Sequence, residues 1–403
     1  MLFRFNFIQK SLFIIFISLS ILFPTKIQFE RLVLLTVILI LSFIKSLSND
    51  FKFRLSKNIF FLFIITMFIS LLGIFHGVLK IAPGVFEYTT IYLIWPLVFI
   101  FLISINFNFV IERYFEVIFP WIYLFIAFSI ISLLPIFSFG DIFSTYNEIL
   151  GTRVNFNSVY PEFSTPVMGW FIFAVPFFFF KFILKLLWDK PSPFDIFFVF
   201  LSLVVLLLSG RRGMWFSTSL SLFLFLLFLF LQGYNKLFKV IFLLIPVIIF
   251  GFIILNNLNF EFDALFNSLK IDLDASSDIT RINQIKALYN GWLDSPIFGQ
   301  GIGAITEDRH TGFWTQPWAF ELQYNLLLFQ VGILGGFVYF SATIFIIFSL
   351  LKRSLKTRDI TLFSFIAGFT SLLLANSTNP YLNKFDYLLI LFFSVHILNR
   401  ING

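Results

Sequence analysis

Apolar residues in this chain gather into long runs separated by short polar stretches. A helix needs about twenty apolar residues to cross the hydrocarbon of a bilayer. Runs of that order occupy Phe7–Phe23, Leu32–Ile44, Ile59–Phe75, Tyr88–Ile105, Val117–Phe137 and Thr165–Leu187. They continue with Phe194–Leu208, Met214–Leu231, Leu237–Leu255, Phe320–Leu350, Thr361–Ala375 and Tyr387–Leu398. The pattern predicts an all-α integral membrane protein with about 12 transmembrane helices. The first run has a weakly basic start and no good cleavage site after it, so it reads as a signal anchor rather than a removable signal peptide.

One interval breaks the rhythm. Residues 257–317 separate two apolar runs without being hydrophobic enough to cross a bilayer, and they hold much of the chain's polarity. Arg281, Lys286, Asp294, Glu307, Asp308, Arg309 and His310 lie there, with Trp292 and Trp314, and Trp318 follows just beyond. The next apolar run opens with Glu321. The expected organisation is a single polytopic membrane domain over residues 1–403, with 257–317 as one large loop inside it. Charge placed at a membrane helix is costly and usually functional, so the loop and the helix it feeds are where chemistry is expected.

Composition sharpens the class. Of the 403 residues 59% are hydrophobic and 12% charged, against about a quarter charged in soluble domains. With no Cys, disulfides, iron–sulfur clusters and Cys-based zinc sites are excluded. The three histidines, His76, His310 and His396, are far apart in sequence, which argues against a histidine-rich metal site. No metal and no cofactor is expected. The 66 Phe residues fit an AT-rich coding bias in a lipid environment that accepts Phe as readily as Leu. The formal charge of +7 fits cytoplasmic loop bias, and without a basic block of suitable spacing a nucleic-acid partner is not expected.

Orientation follows from Lys and Arg. Placing the N-terminus in the cytoplasm puts the larger share of the 28 basic residues inside, both termini in the cytoplasm, and the 257–317 loop on the outer face. Five outward cations are then loop arginines: Arg153, Arg211, Arg212, Arg281 and Arg309. Arginine presents a planar, permanently charged fork that matches phosphate oxygens bidentately, so a shared anionic ligand would explain them.

Three segments carry the candidate chemistry. Ser209-Gly-Arg-Arg-Gly213 joins two apolar runs with almost no loop, which places Arg211 and Arg212 at the membrane edge beside a helix N-terminus. That is either a seat for a pyrophosphate or two arginines snorkelling to headgroups. Asp294 to Gly303, DSPIFGQGIG, resembles a phosphate loop superficially, but no strand precedes it and no Lys–Ser/Thr follows. The alternative is a compact turn ending an amphipathic helix that begins near Arg281. Glu321 is either a desolvated general base or the partner of an arginine, and His310 is a second candidate base. Glu87, Asp141, Glu148 and Glu162 lie on outer loops and could line a polar path. The tryptophans either stack on sugar rings or belong to the interfacial aromatic belt.

The order of these segments resembles a known group. SGRRG at a helix junction, Arg281 leading a helix into SPIFGQGIG, and a polar residue eleven before a GILGG turn are similar to the Wzy-type O-antigen polymerases of the O-antigen ligase and polymerase superfamily. The similarity covers about Leu201 to Tyr339. It implies a GT-C-like fold with the large loop in the periplasm of a bacterial inner membrane, acting on undecaprenyl-diphosphate-linked glycans without a metal ion. By the same resemblance Arg211 or Arg212 and Arg281 hold the lipid diphosphate, and Glu321 stands at the family's polar position before the turn. From the residues themselves, Glu321 or His310 is the expected catalytic base, and Arg153, Arg309 and Trp314 are expected secondary contacts. A polysaccharide chain-length regulator is a further expected partner. Ligases of this group commonly carry a His–Asn pair where this chain has Glu321 and Leu322, so the carboxylate points to a repeat-unit polymerase. The readings kept beside it are a ligase transferring finished glycan to lipid A–core and, from another class, a lipid-linked oligosaccharide flippase. Span centres almost free of charge and one long polar outer loop favour an enzyme working at one face.

Overall fold

The computed structural model describes residues 2–48, 54–104, 110–133, 141–155, 162–209, 211–234, 276–307 and 316–402. They are helical almost throughout, with one short β-hairpin. Among the described residues each predicted apolar run overlaps helix; Leu237–Leu255, residues 134–137 and Ile105 lie outside them. Among the described residues five helices are long and apolar enough to cross a membrane, or six if a pair bent by 47° is one span. Three shorter apolar helices accompany them. The chain folds as two interleaved compact units, one made of Met1–Ile38, Val110–Lys270 and Leu351–Ala375, the other of Leu39–Phe109, Ile271–Leu350 and Asn376–Gly403.

The first unit is built around one helix, Met168–Trp188, whose residues 168–180 are all apolar. A helix that is apolar on every side must be covered on every side, and residues 168 to 180 are all buried. The helix Ile360–Ala375 lies against it most closely at Gly368, where an added Cβ would sit 2.5 Å from the Phe173 carbonyl oxygen. Phe115, Phe119, Phe173, Phe177 and Phe365 interlock around this contact at ring-centroid separations of 5.0–6.1 Å. The turn out of Met168–Trp188 is fixed by a capping box in which Ser192 and Asp195 bond each other's backbone N–H. Lys185 closes an ion pair on Asp195 at 2.8 Å. The chain therefore returns as an antiparallel helix, Pro193–Leu208, and then enters the helix Arg212–Leu231.

The second unit is organised by a break. The helix Gln323–Thr357 is interrupted at Gly332, whose φ of 68° and ψ of −172° are not helical. In an unbroken helix the N–H groups of Ile333 and Leu334 would bond the carbonyls of Phe329 and Gln330. Here all four groups bond the segment after the helix Ser276–Leu293 instead. Ile333 and Leu334 donate to the carbonyls of Pro296 and Ile297 at 2.9 and 3.3 Å. The Phe329 and Gln330 carbonyls accept from Gln300 and Gly301 at 2.7 and 2.9 Å. The same segment then reaches the helix Lys57–Leu79, where Ile302 N–H donates to the Gly73 carbonyl at 2.8 Å. Gly303 in turn accepts from Gly84 N–H at 3.1 Å.

This crossing dictates its glycines. At Gly332 an L side chain would be strained by the positive φ and its Cβ would lie 2.2 Å from the Ile297 carbonyl oxygen. Gly301, with φ of 97°, approaches the backbone of Gly77 so closely that a Cβ would lie 2.6 Å from its nitrogen. Ile302 is fully buried in the resulting core with Ile69, Val85, Leu288, Leu326 and Phe329.

Substituting Gly301→Ala should destabilise the folded protein by about 2 kcal/mol or more, since a left-handed residue costs about 1–2 kcal/mol by itself and the contact adds to it. Gly151→Ala is the control, with φ of 66° and nothing within 4 Å of the new Cβ. Thermal unfolding of the purified protein in lipid nanodiscs checks this. Equal losses from both substitutions would show that the crossing contributes nothing beyond local strain.

Candidate functional site

The helix Ser276–Leu293 carries Arg281 and Gln284 three residues apart, so the two share a face. That face receives the chain just before the broken helix begins. Arg281 Nε donates to Glu321 Oε2 at 3.0 Å, and the Glu321 backbone N–H donates to Gln284 Oε1 at 3.1 Å. The Glu321 carboxylate is thus held by its main chain as well as its side chain. Arg281 and Glu321 are 31% and 38% exposed, so the paired carboxylate reaches the surface of its unit. Of the two sequence readings of Glu321, the paired one describes its resting geometry. An exposed, paired carboxylate still reaches solvent and any ligand arriving from it.

Around Glu321 lie polar groups that the sequence reading did not single out. Gln323, buried at the start of the broken helix, donates from Nε2 to the Tyr92 hydroxyl at 3.2 Å and accepts at Oε1 from Asn383 Nδ2 at 2.6 Å. Asn376 Oδ1 accepts from the Leu382 N–H at 3.0 Å, and Asn376 also bonds the Tyr324 side chain. Tyr92 belongs to a π-helical turn, Thr90–Ile94, that precedes Pro96. Proline cannot donate to the carbonyl four residues back, which loosens the ladder where the turn widens. The available signal was the polar stretch Asn376 to Asp386, crowded with asparagines between two apolar runs.

Trp318 stands three residues before Glu321. Its indole Nε1 donates to Glu87 Oε2 at 2.7 Å, and its carbonyl accepts from the Tyr88 hydroxyl at 3.2 Å. Lys80 Nζ donates to Gln300 Oε1, and Gln300 Nε2 donates to the Gly291 carbonyl at 2.6 Å. The turn Asp294–Gly303 is the compact turn that one sequence reading expected. The backbone N–H groups of Gln300, Gly301 and Ile302 are engaged by carbonyls, so they do not form a phosphate cradle.

A second cationic group belongs to the first unit. Arg211 is the N-cap of Arg212–Leu231, and its Nε donates to the Phe163 carbonyl at 3.3 Å. Phe163 lies on a short strand, Glu162–Ser164, that pairs antiparallel with Arg153–Asn155 and sets Arg153 opposite Ser164. The hairpin therefore brings exposed Arg153 to the end of the unit that carries Arg211 and Arg212. The structure brings Arg281 and Glu321 together in one unit, and Arg153 and Arg211 in the other. His310, Arg309 and Trp314 lie outside the described residues.

Comparison with known proteins adds one match. The family model Wzy_C, described as O-antigen ligase, matches residues 197–340. No curated protein matches the chain. The matched stretch takes in Arg211 and Arg212, the Ser276–Leu293 helix with Arg281, the glycine crossing, Glu321 and the break at Gly332. Over that stretch, about a third of its length, the chain is similar to the O-antigen ligase family.

Proposed function

We propose that this protein is a repeat-unit polymerase for undecaprenyl-diphosphate-linked oligosaccharides, O-antigen or capsular, working at the periplasmic face of a bacterial inner membrane. The observation that carries the reading is the Arg281–Glu321 pair at 3.0 Å inside the stretch that matches the family. It joins a permanent cation to a proton acceptor, the two groups that the reaction requires.

In the proposed step the acceptor hydroxyl attacks the anomeric carbon of the donor sugar. The bond from that carbon to the diphosphate oxygen breaks as the new glycosidic bond forms on the opposite face, so the configuration inverts. The lipid diphosphate leaves with the electron pair, and Glu321 takes the acceptor's proton. Arginine suits the charge that develops on the leaving group, and Arg281 beside Glu321 is assigned to it; Arg211 and Arg212, at the head of their own helix, are assigned separately to lipid diphosphate. Arginine suits the task because its planar fork offers five donors and matches phosphate oxygens bidentately. Diphosphate leaves readily once its charge is met, so no metal ion is required. The ligase description of the matched family keeps transfer of finished glycan to lipid A–core as the second reading.

Glu321→Gln keeps shape and removes the base, and should lower polymer formation by about 10²-fold or more. Full activity of this variant in a deletion strain would move the base elsewhere. Arg281→Ala, Arg211→Ala and Arg212→Ala should each lower the rate by about 10²-fold if they stabilise the leaving charge. Normal-length glycan from all three would remove the diphosphate assignment. The deciding profile is gel electrophoresis of the glycan from a strain lacking the gene. Single repeat units on the core mean polymerase, polymer accumulating on the carrier means ligase, and an unchanged profile means neither.

A further inference from the structure

Trp318 is built as a fixed ring rather than a loose one. One side of the indole lies against Gly84, where an added Cβ would meet the ring Cγ at 2.5 Å and the Trp318 Cβ at 2.9 Å. Its N–H is taken by Glu87 at 2.7 Å, and its backbone is tied to Tyr88. Rotation about both side-chain torsions is therefore restrained. The ring remains only partly buried, and Glu87 at its edge is exposed. Its position is also defined by the chain: three residues separate it from Glu321, so the two Cα atoms are no more than about 11 Å apart.

We propose that Trp318, seated on Gly84 and edged by Glu87, is a platform for a neutral sugar ring of the acceptor glycan. This deepens the glycosyltransferase reading and rests on it. The face of an aromatic ring is negative and attracts the weakly positive C–H face of a pyranose. The carboxylate beside it accepts hydroxyl protons. The same carboxylate repels phosphate, so the platform selects the sugar part of a lipid-linked substrate and leaves the diphosphate to the arginines. An indole of the interfacial belt keeps a wet polar tip at headgroup level. Here that tip is committed to Glu87, and the negative charge disfavours anionic headgroups. A sugar held on Trp318 lies within a few residues of the base assigned to Glu321, and we assign it to the acceptor because the carboxylate at its edge repels the donor's diphosphate.

The test uses the full chain in lipid nanodiscs and, as probe, lipid-free repeat-unit oligosaccharide released by mild acid from the glycan of cells carrying the gene. Binding is followed by saturation-transfer NMR, with undecaprenyl diphosphate titrated separately. Trp318→Ala should weaken glycan binding about tenfold, in line with the loss of an aromatic contact, and leave undecaprenyl diphosphate binding unchanged. Trp318→Phe keeps a π face and should stay within about threefold of the parent. Gly84→Ala, which lifts the ring, and Glu87→Gln should both weaken the glycan and spare the diphosphate, and they carry the test if Trp318→Ala does not fold. Unchanged glycan binding in Trp318→Ala, or no saturable glycan binding by the parent protein, would overturn the platform. A lower yield of inserted protein with normal glycan binding would make Trp318 a belt residue and overturn it equally. Trp318-dependent glycan binding in a protein whose deletion leaves glycan length unchanged would keep the platform and remove the polymerase reading.

Discussion

Two rungs of one helix organise the second unit. At Gly332 the ladder of Gln323–Thr357 opens, and the Pro296–Gly301 segment takes over both donors and both acceptors that the opening frees. In hydrocarbon an unsatisfied backbone group costs several kcal/mol, so neither the break nor the crossing segment is tenable without the other. The exchange also fixes what lies on either side. Upstream of the crossing segment is the Ser276–Leu293 helix with Arg281, and upstream of the break is the short stretch that presents Glu321. One backbone exchange therefore sets the frame in which an arginine and a carboxylate meet.

The Arg281–Glu321 pair adds little to stability, because half-exposed ion pairs are worth about 0–1 kcal/mol. Its value is positional. Glu321 is held through its main chain by Gln284, and the residue two places on, Gln323, is buried between Tyr92 and Asn383. Buried amides bonded on both sides are costly to disturb, so the carboxylate stands on a supported base while its head reaches solvent. That division suits the proton exchange proposed for Glu321.

The first unit solves a different problem with the same materials. The apolar stretch 168–180 of the helix Met168–Trp188 is wrapped by its neighbours until its phenylalanines interlock. At the end where Arg212–Leu231 begins, a two-stranded hairpin supplies a carbonyl to Arg211 and carries Arg153 on its exposed face. Polar residues are spent at the helix ends, where the chain must turn, and the interior is left to close packing.

The membrane class, the positions of the helices and the candidate status of Arg211, Arg212, Arg281 and Glu321 were legible in the sequence. Each depends on local quantities: the length of an apolar run, the cost of charge within it, and the spacing of a few motifs. A turn at Gly332–Gly336 was expected through the family resemblance, but not from the apolar pattern, since Phe320–Leu350 reads as one unbroken run; what opens the helix there, a segment about thirty residues away, was not legible. The glycines at 299, 301 and 303 were visible as a cluster, but their purpose was not. A phosphate loop and a backbone crossing ask for the same residues, and only the partners decide between them. The pairing of Glu321 was among the sequence alternatives, whereas the Tyr92–Gln323–Asn383 chain was not, since its members come from three separate helices or turns. What tertiary structure decided here are hydrogen bonds between distant backbone and amide groups, and these follow from how helices pack rather than from any one stretch of residues.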